Sequence, residues 1–365
     1  MPVIQDYTLL RDDFTPRAGL GLAIDLGTTT IALELIDLQS GRAIASSGFV
    51  NPQRAFGPDV ISRIDAANQG HAGELRRCIC EAIDAHASEL LQGRALTEAV
   101  IAGNTTMIYL LLGFDCACLG AAPFRPETQL RNPYPWPEIF VRSPVSCILT
   151  PASCFIVPWI SAFVGGDVAA GLLCAPREGS YLLVDLGTNG EIALYHAGQL
   201  YATATAAGPA FEGMKPGLCG SDVLEIMAKL LREAHVDETG FLEHDKCYGF
   251  TQQDIRQVQL AKSAVRTGIE VLLDIAERPQ LDAVYLCGGI GQAMGERDAL
   301  EIGLFPQDVK GKVVPLGNAA LGGAVRLLRY PRAREEIPAM LRARHVNLSE
   351  QPKFNEYFME HMSFE

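Results

Sequence analysis

The chain has 365 residues, about the length of two domains, and 48% of them are hydrophobic, which is enough for substantial cores. The formal net charge of −13 argues against nucleic acid or an anionic membrane surface as the main partner. The N-terminus shows no basic region followed by an apolar run, so we predict no signal peptide.

The first half of the chain alternates strand and helix patterns. Apolar residues at three-and-four spacing indicate helices, and short apolar runs bounded by glycine or polar residues indicate strands. In chain order, the sequence predicts a lead-in over 1–20, two strands around a polar turn over 21–36, helices over 59–67 and 73–91, a strand over 98–102, a helix over 107–112 preceded by Gly-Asn-Thr-Thr, and proline-rich loops with brief strands over 120–158.

One uncharged run, 143–166, is long enough to span a bilayer. Pro144, Pro151 and Pro158 interrupt it, and proline breaks a helix interior. We therefore predict buried strands and turns in this run and no membrane association.

The second half of the chain repeats the plan of the first. Its residue pattern predicts strands flanking 182–204, helices over 221–234 and 251–276, and a strand over 283–287 followed by Gly-Gly-Ile-Gly. A further helix begins within 317–322 and runs through 328, and a mixed tail covers 331–365.

A short motif occurs once in each half. Asp25-Leu26-Gly27-Thr28 recurs 160 residues later as Asp185-Leu186-Gly187-Thr188, with an apolar strand before each copy and an alternating strand after it. A strand that only fills a core does not need such a polar turn. We infer two similar halves, each presenting one hairpin loop that holds a ligand.

The chemistry of these turns favours a polyphosphate and Mg²⁺. A strand–Gly–Thr turn directs backbone N–H groups and hydroxyls at one point, and such donors bind phosphate oxygens. An aspartate at a strand end can hold Mg²⁺, usually through water. We therefore expect Asp25 and Asp185 to be catalytic. They would hold Mg²⁺ and the water that attacks the polyphosphate in a hydrolysis reaction. The residues assigned to phosphate binding are Gly27, Thr28, Thr29, Thr30, Gly187, Thr188 and Asn189.

Further candidates lie at glycine turns and at helix starts. Gly288, Gly289 and Gly291 follow a strand, where a backbone without side chains can approach a base and ribose closely. The other candidates are Gly208 for the nucleotide, Asn104 for orienting water, Asp167 for catalysis, and Glu212 as a base or a partner contact.

Purely structural roles stay open for several of these residues. The threonines can stabilise turns, the glycines can serve close packing, and Asn104 and Asp167 can each cap a helix. Asp59 and Arg63 lie one turn apart and can pair on a helix face.

Ten cysteines are scattered along the chain, and none forms Cys-x-x-Cys. Iron–sulfur and zinc sites normally need tighter clusters. We predict reduced core thiols in a cytoplasmic protein and no iron–sulfur cluster within this chain.

The order of the motifs resembles the actin, sugar kinase and heat-shock chaperone ATPase (ASKHA) superfamily: two Asp-Leu-Gly-Thr turns, then Gly-Gly-Ile-Gly, then Gly-Asn-Ala-Ala-Leu-Gly-Gly. The resemblance implies an α/β fold of two ribonuclease-H-like lobes with ATP in the cleft between them. The two aspartate turns would be the phosphate loops, and the Gly-Gly turn would be the adenosine loop. The domains expected on this basis are a lead-in (1–20), a first lobe (21–164), a second lobe (165–316), a connecting helix returning to the first lobe (317–330) and a tail (331–365).

Longer motifs resemble the ATP-dependent reductive activators of corrinoid proteins. That family uses ATP to return a corrinoid cofactor from inactive Co(II) to Co(I), which methyl transfer requires. The resemblance covers about 20–364 and implies ATP and Mg²⁺ as ligands, a corrinoid protein as partner and a homodimer. The motifs that carry it are GPDVISRI (57–64), VIAGNTTM (100–107), FVGGDVAAGLL (163–173), ATAAGPAFEG (204–213), GLCGS (217–221), the helix 251–273, VYLCGGIG (284–291), VPLGNAALGGA (314–324) and the tail 343–364.

The sequence departs from that family in two ways. Many members carry an iron–sulfur domain, whereas the first cysteine here is Cys78, so we expect a separate ferredoxin-like protein to supply the electron. The segment between Gly213 and Lys215 is shorter than in the family, and Asp222 stands where members often have glycine. Nucleotide and partner binding near this segment therefore stay open.

Two other functions remain open. A small-molecule kinase of the same superfamily would need a catalytic aspartate beside a closed pocket for a hydroxyl substrate. An ATP-dependent scaffold or chaperone would bind ATP without redox coupling. The tail over 331–365 either closes the fold or serves a dimer, and closing the fold is the preferred interpretation.

Overall fold

The computed structural model describes residues 6–140, 152–187, 189–212, 214–215, 218–288, 294–309 and 311–364. They form two compact α/β units. We call residues up to 176 together with 318–342 the N-terminal unit, and 177–317 together with the residues from 343 onward the C-terminal unit. Within the described ranges, no helix is both long enough and apolar enough to cross a membrane.

The N-terminal unit is built on a six-stranded sheet with the strand order β3-β2-β1-β4-β6-β5. The central strand β1 runs antiparallel to β2 and parallel to β4. Leu22, Ile24 and Leu26 of β1 enter one core, and Ala23 enters another on the opposite face. Burial on both faces explains why β1 is a continuous apolar run. The strands are β1 (Leu20–Leu26), β2 (Thr30–Asp37), β3 (Arg42–Val50), β4 (Leu96–Gly103), β5 (Tyr134–Pro135) and β6 (Ser153–Ile156).

Five strands of the C-terminal unit repeat this arrangement in the sheet β11-β10-β7-β8-β9-β12, whereas the sixth strand, β12, lies at the edge opposite to that of β5. Its central strand β7 runs antiparallel to β8 and parallel to β10, as β1 does with β2 and β4. The predicted duplication of the strand order is therefore confirmed. The strands are β7 (Tyr181–Leu186), β8 (Gly190–His196), β9 (Gln199–Thr205), β10 (Ala283–Cys287), β11 (Val313–Gly317) and β12 (Arg344–His345).

Helices cover both sheets. In chain order they are α1 (Val60–Ala66), α2 (Ala72–Leu91), α3 (Thr105–Leu112), α4 (Ala117–Gly120), α5 (Trp136–Ile139), α6 (Gly166–Cys174), α7 (Gly220–Arg232), α8 (Gln252–Ile275), α9 (Glu296–Glu301), α10 (Ala319–Arg329), α11 (Ile337–Met340) and α12 (Phe354–Glu360). A π-helical turn, Ala67–His71, joins α1 to α2 and contains Gly70 at φ 103°.

Helices α6 and α10 pack together with almost no space between their backbones. A Cβ placed on Gly323 of α10 would lie 2.0 Å from the carbonyl oxygen of Ala170 in α6. Because of this contact, α6 belongs to the N-terminal unit and the chain passes to the C-terminal unit near 176. The boundary between the two lobes that is expected from the sequence lies between residues 164 and 165, which would assign α6 to the second lobe.

The C-terminal segment packs on α8 within the C-terminal unit. Ser263 of α8 donates a hydrogen bond of 2.5 Å to the Phe358 carbonyl, and Gln259 donates one of 2.7 Å to the Met362 carbonyl. Phe364 is buried in the same core. The last 23 residues, 343–365, are thus part of this unit's packing.

Candidate functional site

The two aspartate turns occupy the same position in the two sheets. Asp25 is the second-last residue of β1 and pairs with Ala32 in β2 and Ala102 in β4. Asp185 is the second-last residue of β7 and pairs with Glu191 in β8 and Cys287 in β10. Each carboxylate therefore stands at the carboxyl end of a central strand, where ligands bind in open α/β sheets.

In the N-terminal unit, Asp25 lies near a second acid and a helix start. Asn318 Nδ2 donates a hydrogen bond of 2.8 Å to Asp25 Oδ2. Burial raises the pKa of Asp25 to about 7, with the charge of Asp167 adding to the rise and the Asn318 hydrogen bond opposing it. Burial likewise raises the pKa of Asp167 to about 6. Two carboxylates with raised pKa values on one side of a sheet are typical of a functional site.

Asn318 is held in this position by the start of α10. Its Oδ1 accepts a hydrogen bond of 2.9 Å from Leu321 N, so it caps the helix while its Nδ2 reaches Asp25. Sequence reasoning identified the helix but did not assign Asn318 to the site. The available signal was an asparagine directly before a helix and after Gly317, which positions a side-chain amide at a strand end.

Asn104 and Asp167 lie close together. Asn104 caps α3, because its Oδ1 accepts a hydrogen bond of 3.1 Å from Met107 N. Helix capping, the structural role left open for Asn104, is therefore confirmed for this oxygen. Gly165 lies between the two, because a Cβ there would fall 2.5 Å from Asn104 Cα and 2.7 Å from Asp167 Oδ1. The N-cap of α6 is Gly165, so Asp167 does not have the capping role considered for it. Asp167 Oδ1 instead accepts a hydrogen bond of 2.8 Å from Val168 N.

Two buried polar residues support the threonine turn from behind. Arg63 Nη2 donates a hydrogen bond of 2.7 Å to the Thr28 carbonyl, and Asn51 Nδ2 donates one of 2.9 Å to the Gly27 carbonyl. Both side chains are fully buried. Their hydrogen bonds hold the Gly27 and Thr28 carbonyls of the turn in place.

The role of Arg63 corrects the pairing considered for it. Asp59 is the N-cap of α1 and forms a capping box with Ser62, and Arg63 turns inward to the Gly57 and Thr28 carbonyls. Burial lowers the pKa of Arg63 to about 10, which keeps the guanidinium charged at neutral pH. Sequence reasoning missed both Arg63 and Asn51 as supports of the turn.

The glycine of the first turn is required by sterics. A Cβ on Gly27 would lie 2.4 Å from the Thr30 carbonyl oxygen. In the second turn, Gly187 N donates 3.0 Å to the Asn189 carbonyl. Both turns are therefore closed hairpins, as the sequence predicts.

In the C-terminal unit, Gly288 lies directly beside Asp185. Gly288 has φ +83°, and a Cβ there would lie 2.6 Å from Asp185 Oδ1. Gly208 follows β9 at φ +73°. Thr188, Gly289 and Gly291 lie outside the described residues, as does the side chain of Glu212.

The donor set of the N-terminal unit fits a hard divalent cation. Asp25 offers carboxylate oxygens whose ionised form is disfavoured by burial and by the charge of nearby Asp167. A divalent cation relieves both costs, and Mg²⁺ prefers oxygen ligands.

Two α/β units that share the order of five strands, each with an aspartate and a Gly-containing turn at the end of its first strand, define the ASKHA class of proteins. The family model described as the RACo middle region matches residues 20–176. The model described as the C-terminal domain of RACo, the ASKHA domain, matches 179–216 and 243–365. The chain belongs to this family of reductive activators of corrinoid proteins, which confirms the resemblance of its motifs.

Individual relatives agree with this family. The corrinoid activation enzyme RamQ of Eubacterium limosum is 29% identical over 94% of this chain and 70% of that protein. The [Co(II) methylated amine-specific corrinoid protein] reductase of Methanosarcina barkeri is 22% identical over 94% of this chain and 77% of its own length. A solved structure of a reductive activator for corrinoid, iron–sulfur protein has a TM-score of 0.84 and 28% identity, over 97% of this chain and 67% of that chain.

Proposed function

We propose that this chain hydrolyses ATP to drive the reduction of a corrinoid protein from inactive Co(II) to Co(I). The observation that carries the proposal is the equivalent placement of Asp25 and Asp185 at the ends of β1 and β7, in a chain of this family. The relatives are named as activators or reductases of corrinoid proteins. The balanced steps are the conversion of ATP and water to ADP, phosphate and a proton, and the transfer of one electron from a separate donor protein to Co(II), which gives Co(I).

The two turns bind ATP in this proposal. Asp25 and Asp185 would hold Mg²⁺ through water, and the ion would supply positive charge to offset that of the phosphates. Asp167 accepts a proton from the attacking water, because a carboxylate with a pKa near 6 is a usable base at neutral pH. Asn104 orients that water. Phosphates are bound by Gly27, Thr28, Thr29, Thr30, Gly187, Thr188 and Asn189, and the nucleoside by Gly208, Gly288, Gly289 and Gly291.

ATP is needed because the cobalt reduction is uphill from ordinary electron donors. For the transfer of one electron, a difference of about 59 mV in reduction potential changes the equilibrium constant tenfold, which is about 1.4 kcal/mol. A few tenths of a volt therefore requires several kcal/mol. The protein supplies it by binding the corrinoid partner differently in its ATP and ADP states, which weakens an axial ligand of cobalt.

We further propose a separate ferredoxin-like protein as the electron donor, a homodimer and a cytoplasmic location. Among the described residues, no three cysteines come together in a metal-binding group. In this proposal the donor protein carries the iron–sulfur chemistry.

The test is ATP hydrolysis with Mg²⁺, measured with and without a Co(II) corrinoid protein, together with the absorbance change from Co(II) to Co(I). We expect corrinoid-stimulated turnover that Asp185→Ala abolishes. Hydrolysis that no corrinoid protein changes would contradict the proposal and favour a kinase or a scaffold. Failure to bind ATP would remove its basis.

A further inference from the structure

A group of metal-ligating side chains lies between α7 and α8 in the C-terminal unit. His235, Glu243 and His244 each direct one ligand atom into a space where these atoms lie within 4.8 Å of one another. Among the described residues this is the one group of three or more His, Cys, Asp or Glu that meets this criterion. His235 also lies in 217–242, which the family model leaves unmatched.

The backbone brings the three residues together independently of any ion. Val236 and Leu242 are buried and form an antiparallel bridge, and Glu243 N donates 3.0 Å to the His235 carbonyl. The Asp237 carboxylate closes the connecting loop by accepting 2.9 Å from both Thr239 N and Phe241 N. The ligand atoms are thus held on two adjacent, anchored segments.

A fourth donor lies beside this group. Glu233 Oε2 is 3.5 Å from His235 Nε2, and the Tyr248 hydroxyl donates 2.6 Å to the same Glu233 oxygen. Tyr248 therefore orients Glu233 toward His235. The group itself thus offers two imidazoles and one carboxylate, and a second carboxylate lies beside His235.

We propose that His235, Glu243 and His244, with Glu233 or water as a fourth ligand, bind a divalent transition-metal ion of the Zn²⁺ type. Imidazole nitrogen with carboxylate oxygen is a donor set that suits Zn²⁺. The ligand atoms lie within 4.8 Å of one another and would move closer together to surround one ion at metal–ligand distances of about 2.0–2.2 Å. The ion links the end of α7 to the segment that leads into α8.

The test uses the full chain, stripped of metal with EDTA and titrated with Zn²⁺ against a chromogenic chelator. We expect one Zn²⁺ equivalent whose affinity falls at least tenfold in His244→Ala and in the isosteric variant Glu243→Gln. His71→Ala is the matched control, because His71 is an exposed histidine 2.7 Å from Glu74 and outside the group. The His71→Ala variant should bind Zn²⁺ with the same affinity as the unsubstituted chain.

Co²⁺ substitution identifies the ligands, since the chain also contains ten cysteines. The proposed site should give visible d–d absorption without a thiolate charge-transfer band, and both variants should lose it. Unchanged Zn²⁺ binding in both variants, thiolate absorption, or no Zn²⁺ bound at all would overturn the proposal. Asp185→Ala should still bind Zn²⁺, so this outcome is independent of ATP hydrolysis.

Discussion

Asn318 Nδ2 donates a hydrogen bond of 2.8 Å to Asp25 Oδ2, across 293 positions of sequence. The same side chain caps α10 through its Oδ1, which receives 2.9 Å from Leu321 N. One asparagine therefore joins the start of a helix to the carboxylate of the first turn. Since a donor to a carboxylate favours its ionised form, Asn318 sets the charge of Asp25 near neutral pH.

Asn318→Ala should shift the pH dependence of ATP hydrolysis. Without the amide donor, the pKa of Asp25 rises above its present value of about 7, so the acidic limb of the kcat/KM profile for ATP moves to higher pH. The loss of activity should be larger at pH 7 than at pH 9. Asn347→Ala is the control, because Asn347 caps a short helical turn elsewhere. An activity loss that is equal at both pH values would contradict this role.

Asp25→Asn should stabilise the protein at high pH. The folded pKa of about 7 exceeds the ordinary 3.8, so stability falls as pH rises from about 4 to 7 and stays low above that. By linkage we expect a gain of about 1–3 kcal/mol at pH 8, and a much smaller one at pH 4.5. Calorimetric Tm values across this range measure it. Asp65→Asn, at an exposed position on α1, is the comparison, and a Tm difference that does not widen with pH would refute the assignment.

Arg63→Lys should weaken ATP binding. Lysine carries one nitrogen and cannot reproduce the hydrogen bonds of Arg63 to both the Gly57 and Thr28 carbonyls. Leaving one buried carbonyl unpaired costs about 1–3 kcal/mol and loosens the turn. Isothermal titration should show roughly tenfold lower affinity for ATP, using the 1.4 kcal/mol per tenfold relation. Arg54→Lys, at an exposed neighbouring position, should bind ATP as before. Equal affinities for the two variants would exclude the supporting role.

Gly323→Ala should destabilise the N-terminal unit strongly. Its Cβ would lie 2.0 Å from the Ala170 carbonyl oxygen, so α6 and α10 must separate. We expect a loss of about 3 kcal/mol or more in the free energy of unfolding. Gly73→Ala is the matched control within α2, where a Cβ meets nothing within 4 Å, and it should raise stability by up to about 1 kcal/mol. Urea denaturation compares them, and similar stabilities would show that the helices can separate at little cost.

Several elements were predictable because their signals lie within short windows of sequence. A continuous apolar run defines β1 before the first turn, alternation of apolar residues defines β2 after it, and three-and-four spacing defines α2 and α8. Strand β3 was missed, because it is an edge strand with mostly exposed small and polar residues. Strand β12 has only two residues, which is too short to show a period.

Patterns in the sequence were sufficient to predict the duplicated turns, the aspartates at their strand ends and the family. The packing of the elements was needed to show that Asn318 orients Asp25, that Arg63 supports the Thr28 turn, and that α6 packs in the N-terminal unit. Local patterns fix the backbone because they reflect hydrogen bonding and burial within one element. Contacts between side chains distant in sequence depend on how elements pack, and an asparagine or arginine looks the same in sequence whether it faces water or a buried carboxylate.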